Sequence, residues 1–108
     1  LYLQVNIGAD PKKYGFSAKK VITIAQEITK MENLNIEGIM TIPPQNISIK
    51  ELRKIYNKTS KLRDKIYLKI NKCCKYVSMG MSNDYEIAIE EGATHIRIGS
   101  GLFGERPI

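Results

Sequence analysis

The feature that most constrains this chain is the alternation of short apolar strands with longer helical segments. The predicted strands are 1–7, 36–42, 75–79 and 94–98, and the predicted helices lie between them, in the order β-α-β-α-β-α-β. Strands that follow one another through helical crossovers pair in parallel. The chain is therefore predicted to have an α/β fold built on a parallel sheet.

A (β/α)8 barrel and a doubly wound sheet both fit the predicted order of strands and helices. The alternation of apolar and polar side chains along the strands distinguishes between these two folds. Residues 1–7 place leucine, valine and isoleucine on one face and Tyr2, Gln4 and Asn6 on the other. In the last strand His95 and Arg97 share the face opposite to the isoleucines. A doubly wound sheet is usually apolar on both faces, whereas a barrel interior near a ligand accommodates polar rows. The pattern favours half of a (β/α)8 TIM-type barrel.

Local signals define the helix ends. Ser17 and Ser48 are predicted to cap the first two helices, which run to about Glu32-Asn33 and to residue 70. The third helix, residues 85–91, is expected to be capped by Ser82 or Asn83 and to end before Gly92. The apolar stripe of the second helix is predicted to consist of Leu52, Ile55, Tyr56, Thr59, Leu62 and Ile66.

Two loops follow the last two strands, and both are rich in groups that bind phosphate. The first contains Ser82 and leads into the third helix, and the second contains Gly99 and Ser100. Helix starts and glycine-rich turns expose N–H groups that attract an anion. In (β/α)8 barrels the loops after the last two strands often form the phosphate site. A phosphorylated small molecule is therefore the predicted class of ligand.

Composition and charge limit the other possibilities. The 108 residues correspond to one segment at most, and the start in mid-strand without a methionine suggests part of a longer protein. The net charge is +6, but no basic stripe carries interleaved aromatic residues, so nucleic acid is a disfavoured partner. No run of apolar residues is long enough for a membrane helix. The adjacent Cys73 and Cys74 lack metal-ligand spacing and fit a reducing cytoplasm.

Several motifs resemble those of one known family. Residues 79–84 read Met-Gly-Met-Ser-Asn-Asp, and residues 92–104 combine Gly-Ala-Thr-His-Ile-Arg-Ile-Gly-Ser with Phe-Gly. Weaker matches are Gln-Val-Asn at 4–6, Lys-Tyr-Gly at 13–15 and Gly-Ile-Met-Thr-Ile at 38–42. Together they resemble the YggS/PLPBP family of pyridoxal phosphate homeostasis proteins, whose fold is similar to the alanine racemase barrel. The resemblance implies that residues 1–108 form the last four βα units of such a barrel, its C-terminal half.

The resemblance also implies the cofactor, pyridoxal 5′-phosphate, and the residues that bind it. Ser82 and Ser100 would donate their hydroxyls to the phosphate, together with the amides around Gly99. Arg97 would lie beside the pyridine nitrogen and, because arginine keeps its proton, would hold that nitrogen unprotonated. This weakens the electron sink on which most pyridoxal chemistry depends, in keeping with a carrier rather than an enzyme.

Two further residues are candidates for the wall of the pocket. Asn6 is expected to face the interior from the first strand, and Met81 to pack at the end of the third, where it can contact the cofactor. No catalytic residue and no metal ligand is predicted.

The sequence departs from the family in two small ways and one large way. Ser100 stands where the family has threonine and Ala93 where it has serine. The lysine that forms the Schiff base lies on the family's first barrel strand, and no lysine of this chain matches it. The chain is therefore expected to carry the phosphate half of the site and to need the other half of the barrel.

Other interpretations of the same residues stay open. The chain could belong to an amino-acid racemase or another phosphate-binding barrel enzyme, with Tyr2, Tyr76 or Tyr85 as a second base, or it could be a basic RNA-binding module. Arg97 could instead pair with Asp84 or Glu86 inside the protein. His95 is expected to be an interior hydrogen-bonding residue.

Overall fold

The computed structural model describes residues 1–7, 15–31, 34–44, 47–81 and 83–97. Four strands and three helices alternate in this part of the chain: β1 (Tyr2–Gln4), α1 (Ala18–Thr29), β2 (Gly38–Met40), α2 (Ile49–Lys69), β3 (Tyr76–Met81), α3 (Tyr85–Glu90) and β4 (His95–Arg97). The strands form one sheet in the order β1-β2-β3-β4, and every pair is parallel. The predicted order and parallel sheet are confirmed.

Most elements are shorter than predicted. β1 and β2 each keep three residues at the centre of the predicted segment, and β3 extends two residues further than expected, to Met81. α1 ends at Thr29, before the predicted end at Glu32-Asn33, which lies outside the described residues.

The caps of α1 and α2 are those that the sequence predicts. The Ser17 and Ser48 hydroxyls accept hydrogen bonds from the third residues of their helices, Lys20 and Glu51. Such a bond satisfies one of the free N–H groups of the first turn. Gly92 follows α3 with φ +106°, as expected of the residue after a helix.

The predicted cap of α3 is wrong. The N-cap residue is Asp84 rather than Asn83, and its side chain makes no capping bond to the helix. Its carboxylate instead accepts the Met81 N–H at 2.7 Å, and the Asp84 N–H donates back to the Met81 carbonyl at 3.1 Å. The hydrogen bonds between Asp84 and Met81 therefore take the place of the capping bond that the sequence predicts. Ser82, the other predicted cap, lies outside the described residues.

Among the described residues, the core lies between the sheet and the helices. One cluster joins β1 and β2 to α1 and α2, and a second joins β3 to α2 and α3. The strand residues that contribute are Leu3, Val5, Ile39, Val77 and Met79. This face of the sheet, with these residues and Ile96, is called the helix face. Of the stripe predicted for α2, every member is buried except Ile55.

The opposite face of the sheet carries polar and aromatic side chains. Its residues are Tyr2, Gln4, Gly38, Met40, Tyr76, Ser78, His95 and Arg97, here called the open face. His95 contacts the Tyr76 ring edge-on at 5.1 Å between centroids and the Tyr2 ring at 6.4 Å. Gly38 lies between the two tyrosines, and a Cβ there would meet the Tyr2 ring at 2.8 Å. The polar row predicted from the first and last strands is confirmed.

The outer surface of α2 is basic. Six exposed lysines recur every three or four residues along it: Lys50, Lys54, Lys58, Lys61, Lys65 and Lys69. No aromatic residue lies among these positions, which fits a solvated helix surface rather than a platform for stacked bases. Within the described ranges, no helix combines the length and the apolar character that a membrane span needs.

Candidate functional site

All four strands end at one edge of the sheet because they are parallel. Val5, Thr41, Met81 and Arg97 mark these ends, and this edge is called the rim. In α/β folds with parallel strands, ligands bind outside the carboxyl ends of the strands. The rim is therefore the candidate site of this chain.

A β-bulge at Gly80 shapes the rim. Ser78 pairs with His95 but Met81 pairs with Arg97, so three steps along β3 match two steps along β4. Gly80 has φ +102°, and a Cβ on it would lie 2.6 Å from the Ala88 Cβ of α3. Glycine is therefore required at this position. Because the bulge adds one residue, Met81 comes to the same face as Arg97.

Arg97 extends from β4 over the open face to the end of β2. Its Nη2 donates to the Thr41 carbonyl at 3.4 Å, which spans two strand spacings, or about 10 Å across the sheet. The guanidinium passes over β3, where Ser78 contributes only a small side chain to that face. Arg97 forms no ion pair with Asp84 or Glu86 within the described residues, so the predicted alternative of a buried ion pair is not what the structure shows.

One nitrogen of Arg97 is buried without a partner in the part of the chain that the structure describes. Nε makes no hydrogen bond to any described residue. A buried donor without an acceptor costs about 1–3 kcal/mol. This nitrogen is therefore suited to donate to an acceptor that a ligand brings to the rim, such as an aromatic ring nitrogen.

Thr41 connects three strand ends. It is 1% exposed, and its hydroxyl donates to the Val5 carbonyl at 2.9 Å. Its N–H donates to the Ser78 carbonyl at 3.1 Å, and its own carbonyl accepts Arg97. From the sequence, Thr41 is predicted only to be part of a strand. A threonine just before Ile-Pro-Pro in a buried strand was the available signal.

The turn from Met81 to Asp84 lies beside Arg97. It is closed by the two hydrogen bonds between these residues, and it borders a groove of about 540 Å³ at the rim. The groove is mostly apolar and is lined in part by Ile42, Pro43 and Leu52. The structure thus presents an apolar recess next to a polar turn.

Tyr56 of α2 is fully buried beneath this turn. No described residue meets the geometry of a hydrogen bond to its hydroxyl. Burial raises the pKa of the Tyr56 hydroxyl, the nearby Asp84 carboxylate raises it further, and Arg97 opposes the shift. Tyr56 therefore stays protonated and is a neutral group near these two charged side chains.

The predicted site residues fall into two groups. Met81 and Arg97 are paired at the ends of β3 and β4. Asn6 directly follows Val5, whose carbonyl accepts the hydrogen bond from the Thr41 hydroxyl at the rim. Asn6 is partly buried, and its N–H donates to the Phe16 carbonyl at 2.8 Å. Ser82, Gly99 and Ser100 lie outside the described residues. Their predicted roles stay predictions.

His95, Tyr2 and Tyr76 do not gather at the rim, whereas Tyr85 begins α3 directly after it. His95 Nδ1 lies 3.0 Å from the Thr94 hydroxyl, and its ring packs on Tyr2 and Tyr76 at the other end of the strands. The hydrogen bond predicted for His95 is confirmed, but the predicted interior position is wrong, because His95 is exposed on the open face. Burial, and next the Glu37 carboxylate, raise the pKa of Tyr2. Its hydroxyl therefore holds its proton and is a poor base at neutral pH.

Parallel strands, helical crossovers on one face and a polar opposite face define a class of chains that form part of a TIM-like barrel. The comparison with protein families gives the specific member of this class. The chain belongs to the alanine racemase N-terminal domain family, whose pattern matches residues 1–107.

Relatives of known name are similar over nearly the whole chain. A pyridoxal phosphate homeostasis protein from Aquifex aeolicus is 38% identical over 104 residues, which cover 96% of this chain and 46% of the relative. A protein of the same name from Schizosaccharomyces pombe is 32% identical over 108 residues, which cover 99% of this chain and 45% of that protein. The chain thus spans less than half the length of these relatives. The resemblance found in the sequence motifs is confirmed.

Solved structures agree with the fold. PipY of Synechococcus elongatus PCC7942, a COG0325 family member solved without PLP, has a TM-score of 0.87 and 29% identity over 94% of this chain and 48% of its own. The same protein solved with PLP bound has a TM-score of 0.82 and 27% identity over 94% of this chain and 47% of its own. The predicted fold class, half of a TIM-like barrel, is confirmed.

Proposed function

We propose that the protein containing this chain binds pyridoxal 5′-phosphate and serves in the homeostasis of this cofactor. The observation that carries the proposal is the partly buried Arg97 at the rim, whose buried Nε lacks an acceptor among the described residues. The similarity to PipY, which has been solved with PLP bound, and to named homeostasis proteins supports it.

Arg97 would donate to the pyridine nitrogen of the cofactor. An arginine cannot give up its proton at physiological pH, so the ring nitrogen would accept a hydrogen bond and stay unprotonated. Bound pyridoxal phosphate supplies an electrophilic carbonyl and an electron-withdrawing ring, and an unprotonated ring is the weaker electron sink. The site is therefore suited to holding the cofactor rather than to using it.

The phosphate end would be bound by the two loops that follow β3 and β4. Ser82 and Ser100 would donate their hydroxyls, and the amides near Gly99 would donate theirs, to the same phosphate. Two hydrogen bonds join Met81 to Asp84, the described residues that flank this part of the first loop. Met81 and Asn6 would form part of the wall around the ring.

Substitution at both ends of the site tests the proposal in the full-length natural protein. Arg97→Ala is expected to weaken the retention of pyridoxal phosphate by about 10- to 100-fold, since it removes a hydrogen bond from a charged donor. Ser82→Ala is expected to weaken it by about 5-fold. Equilibrium dialysis or the absorbance of the bound cofactor measures both effects.

Arg63→Ala is the matched control for Arg97→Ala. Arg63 donates to the Lys75 carbonyl just before β3, at the end of the sheet away from the rim. It is expected to leave cofactor retention unchanged. Retention that is the same in the Arg97, Ser82 and Arg63 variants would contradict the assigned site.

We also propose that the protein is a carrier without catalytic activity. The relatives bear the name of homeostasis proteins rather than enzymes, and the aromatic pair Tyr2 and Tyr76 lies away from the rim. Incubation of the full-length protein with L-alanine should produce no D-alanine beyond the rate of free pyridoxal phosphate. Turnover above that rate would establish a racemase.

Completion of the site requires the other half of the barrel, which we propose to be part of the same protein or a separate chain that supplies the cofactor-binding lysine. The free thiols of Cys73 and Cys74 fit a cytoplasmic location. The basic surface of α2 is proposed to be solvated rather than bound to RNA. Sequence-dependent RNA binding that persists at physiological salt would contradict this part of the proposal.

A further inference from the structure

We propose that Thr41 is a positioning residue for Arg97, so that the orientation of the guanidinium depends on a threonine that does not itself touch the ligand. This inference rests on the proposed function, because it concerns the residue assigned to the pyridine ring. It is carried by the three hydrogen bonds that meet at Thr41, to the Val5 carbonyl, to the Ser78 carbonyl and from Arg97.

The first step is that Arg97 depends on one fixed acceptor. Arginine has several rotatable bonds, and its side chain crosses two strand spacings from β4 to the end of β2. The Thr41 carbonyl is the hydrogen-bond partner of the guanidinium among the described residues. At 3.4 Å this bond is long, so a small displacement of the carbonyl is enough to break it.

The second step is that the Thr41 carbonyl is held from both sides. The hydroxyl is bonded to the Val5 carbonyl at the end of β1, and the N–H to the Ser78 carbonyl in β3. After Thr41 the chain continues into Ile42-Pro43-Pro44, where the prolines fix φ and restrict the residue before them. The peptide that carries the acceptor therefore has little freedom to rotate.

The third step is that the hydroxyl, rather than the size of the side chain, ties β2 to β1 at the rim. Valine has nearly the shape of threonine but cannot donate, so Thr41→Val leaves the Val5 carbonyl without that donor. The peptide would then keep only the Ser78 bond and the prolines as restraints, and it would gain freedom to rotate away from Arg97. Arg97, which is assigned to the pyridine ring, would lose its fixed orientation. The groups assigned to the phosphate would be unchanged.

The test uses Thr41→Val in the full-length natural protein with three probes: pyridoxal 5′-phosphate, pyridoxal and inorganic phosphate. The affinities for pyridoxal phosphate and pyridoxal should fall by about fivefold, as expected for one weakened hydrogen bond, while the affinity for inorganic phosphate should change less than about twofold. Thr41→Ser, which restores the hydroxyl, should recover most of the lost affinity.

Thr59→Val is the matched control. Thr59 is also a fully buried threonine whose hydroxyl donates to a backbone carbonyl, that of Ile55 at 2.7 Å, but it lies within α2. Both variants are expected to unfold at lower urea concentration than the wild type. Only Thr41→Val should weaken binding of the ring-containing probes, and in an Arg97→Ala background it should have no further effect.

Three outcomes would overturn the inference: equal affinities for Thr41→Val and Thr59→Val, equal losses for inorganic phosphate and pyridoxal, or a loss that persists without Arg97. They are distinct from a failure of the proposed function, in which the wild-type protein itself would not bind pyridoxal phosphate. That failure would overturn both.

Discussion

The two faces of the sheet differ in what surrounds them. The helix face is covered by three helices, and Leu3, Val5, Ile39, Val77 and Met79 lie there with 5% exposure or less. The open face has no described element over it, and Tyr76 is 40% exposed and Met81 48%. Stability therefore resides mainly on one side of the same strands, and the candidate ligand site lies on the other side, at the rim.

Adjacent residues of β2 give the largest test of this difference. Ile39 is fully buried on the helix face, and Met40 is partly buried on the open face. Ile39→Ala should lower the free energy of unfolding by about 2–5 kcal/mol, because it leaves a cavity. Met40→Ala should cost about 1 kcal/mol or less. Urea unfolding of both variants measures this, and equal losses would show that both faces stabilise the protein alike.

Gly80 packs against α3 on the helix face, and its bulge sets the register of Met81 and Arg97 on the open face. Disruption of the bulge should therefore lower both the stability of the protein and the retention of the cofactor. Gly80→Ala imposes a positive φ on alanine and drives its Cβ against Ala88, and the strain alone costs about 1–3 kcal/mol. Retention of pyridoxal phosphate should also fall, since Met81 and Arg97 would lose their common register.

Gly92→Ala is the control for that substitution. Gly92 has a similar φ of +106°, but the nearest neighbour of its Cβ would be the Ser60 Oγ at 2.8 Å, the end of a small side chain that can rotate. We expect a smaller loss of stability and unchanged cofactor retention. Similar losses of retention in both variants would mean that general destabilisation, not the bulge, controls the site.

The adjacent cysteines compare a buried position with an exposed one through the reactivity of their thiols. Cys74 is fully buried in the cluster on β1 and β2, and burial raises the pKa of its thiol to about 11, whereas Cys73 is exposed. Iodoacetamide at pH 8 should alkylate Cys73 and spare Cys74 in the folded protein, as peptide mass spectrometry would show. Rapid alkylation of both would indicate that this cluster opens readily.

The same shift predicts a pH dependence of stability. The folded protein keeps the Cys74 proton while the unfolded chain, with its thiol pKa near 9.0, releases it. The contribution is therefore fully present below pH 9.0 and is lost as the pH rises toward about 11. Cys74→Ala should remove this component of alkaline destabilisation in urea titrations at several pH values.

The smallest effect is expected at the outer surface, away from both faces. Arg53 pairs with Glu90 at 2.9 Å and Glu91 at 3.2 Å, and its side chain is 41% exposed. Exposed ion pairs contribute little, so Arg53→Ala should cost less than about 1 kcal/mol, and less still at high salt. A loss as large as that of Ile39→Ala would mean that α2 and α3 are joined mainly by charge.

Sequence predicts the features that repeat along the chain. The strand and helix order, the polar open face and the caps at Ser17 and Ser48 follow from alternation, helical spacing and residues close in sequence. Features that depend on the register between distant strands did not follow. The bulge at Gly80 and the junction at Thr41 exist only because particular carbonyls and N–H groups meet across the sheet.

The error at the third helix has the same physical origin. Asn83 and Glu86 have the spacing of a capping pair. The Asp84 carboxylate instead accepts the Met81 N–H, and Asp84 is the N-cap residue of α3. For the candidate site, the sequence motifs singled out Arg97 and Met81, which pair at the rim, and their contacts with the cofactor stay predictions. They did not indicate how Arg97 is held, since a backbone carbonyl has no residue-specific signal.

Gly38 lies at the far end of the strands, yet its size matters to the rim. A Cβ at this position would lie 2.3 Å from the Tyr76 carbonyl, which belongs to the backbone and cannot rotate away. Any larger residue would therefore wedge β2 apart from β3. The hydrogen bond from the Thr41 N–H to the Ser78 carbonyl joins the same two strands three residues further on. A substitution at Gly38, remote from the candidate ligand site, would therefore misalign β2 and β3 at the rim.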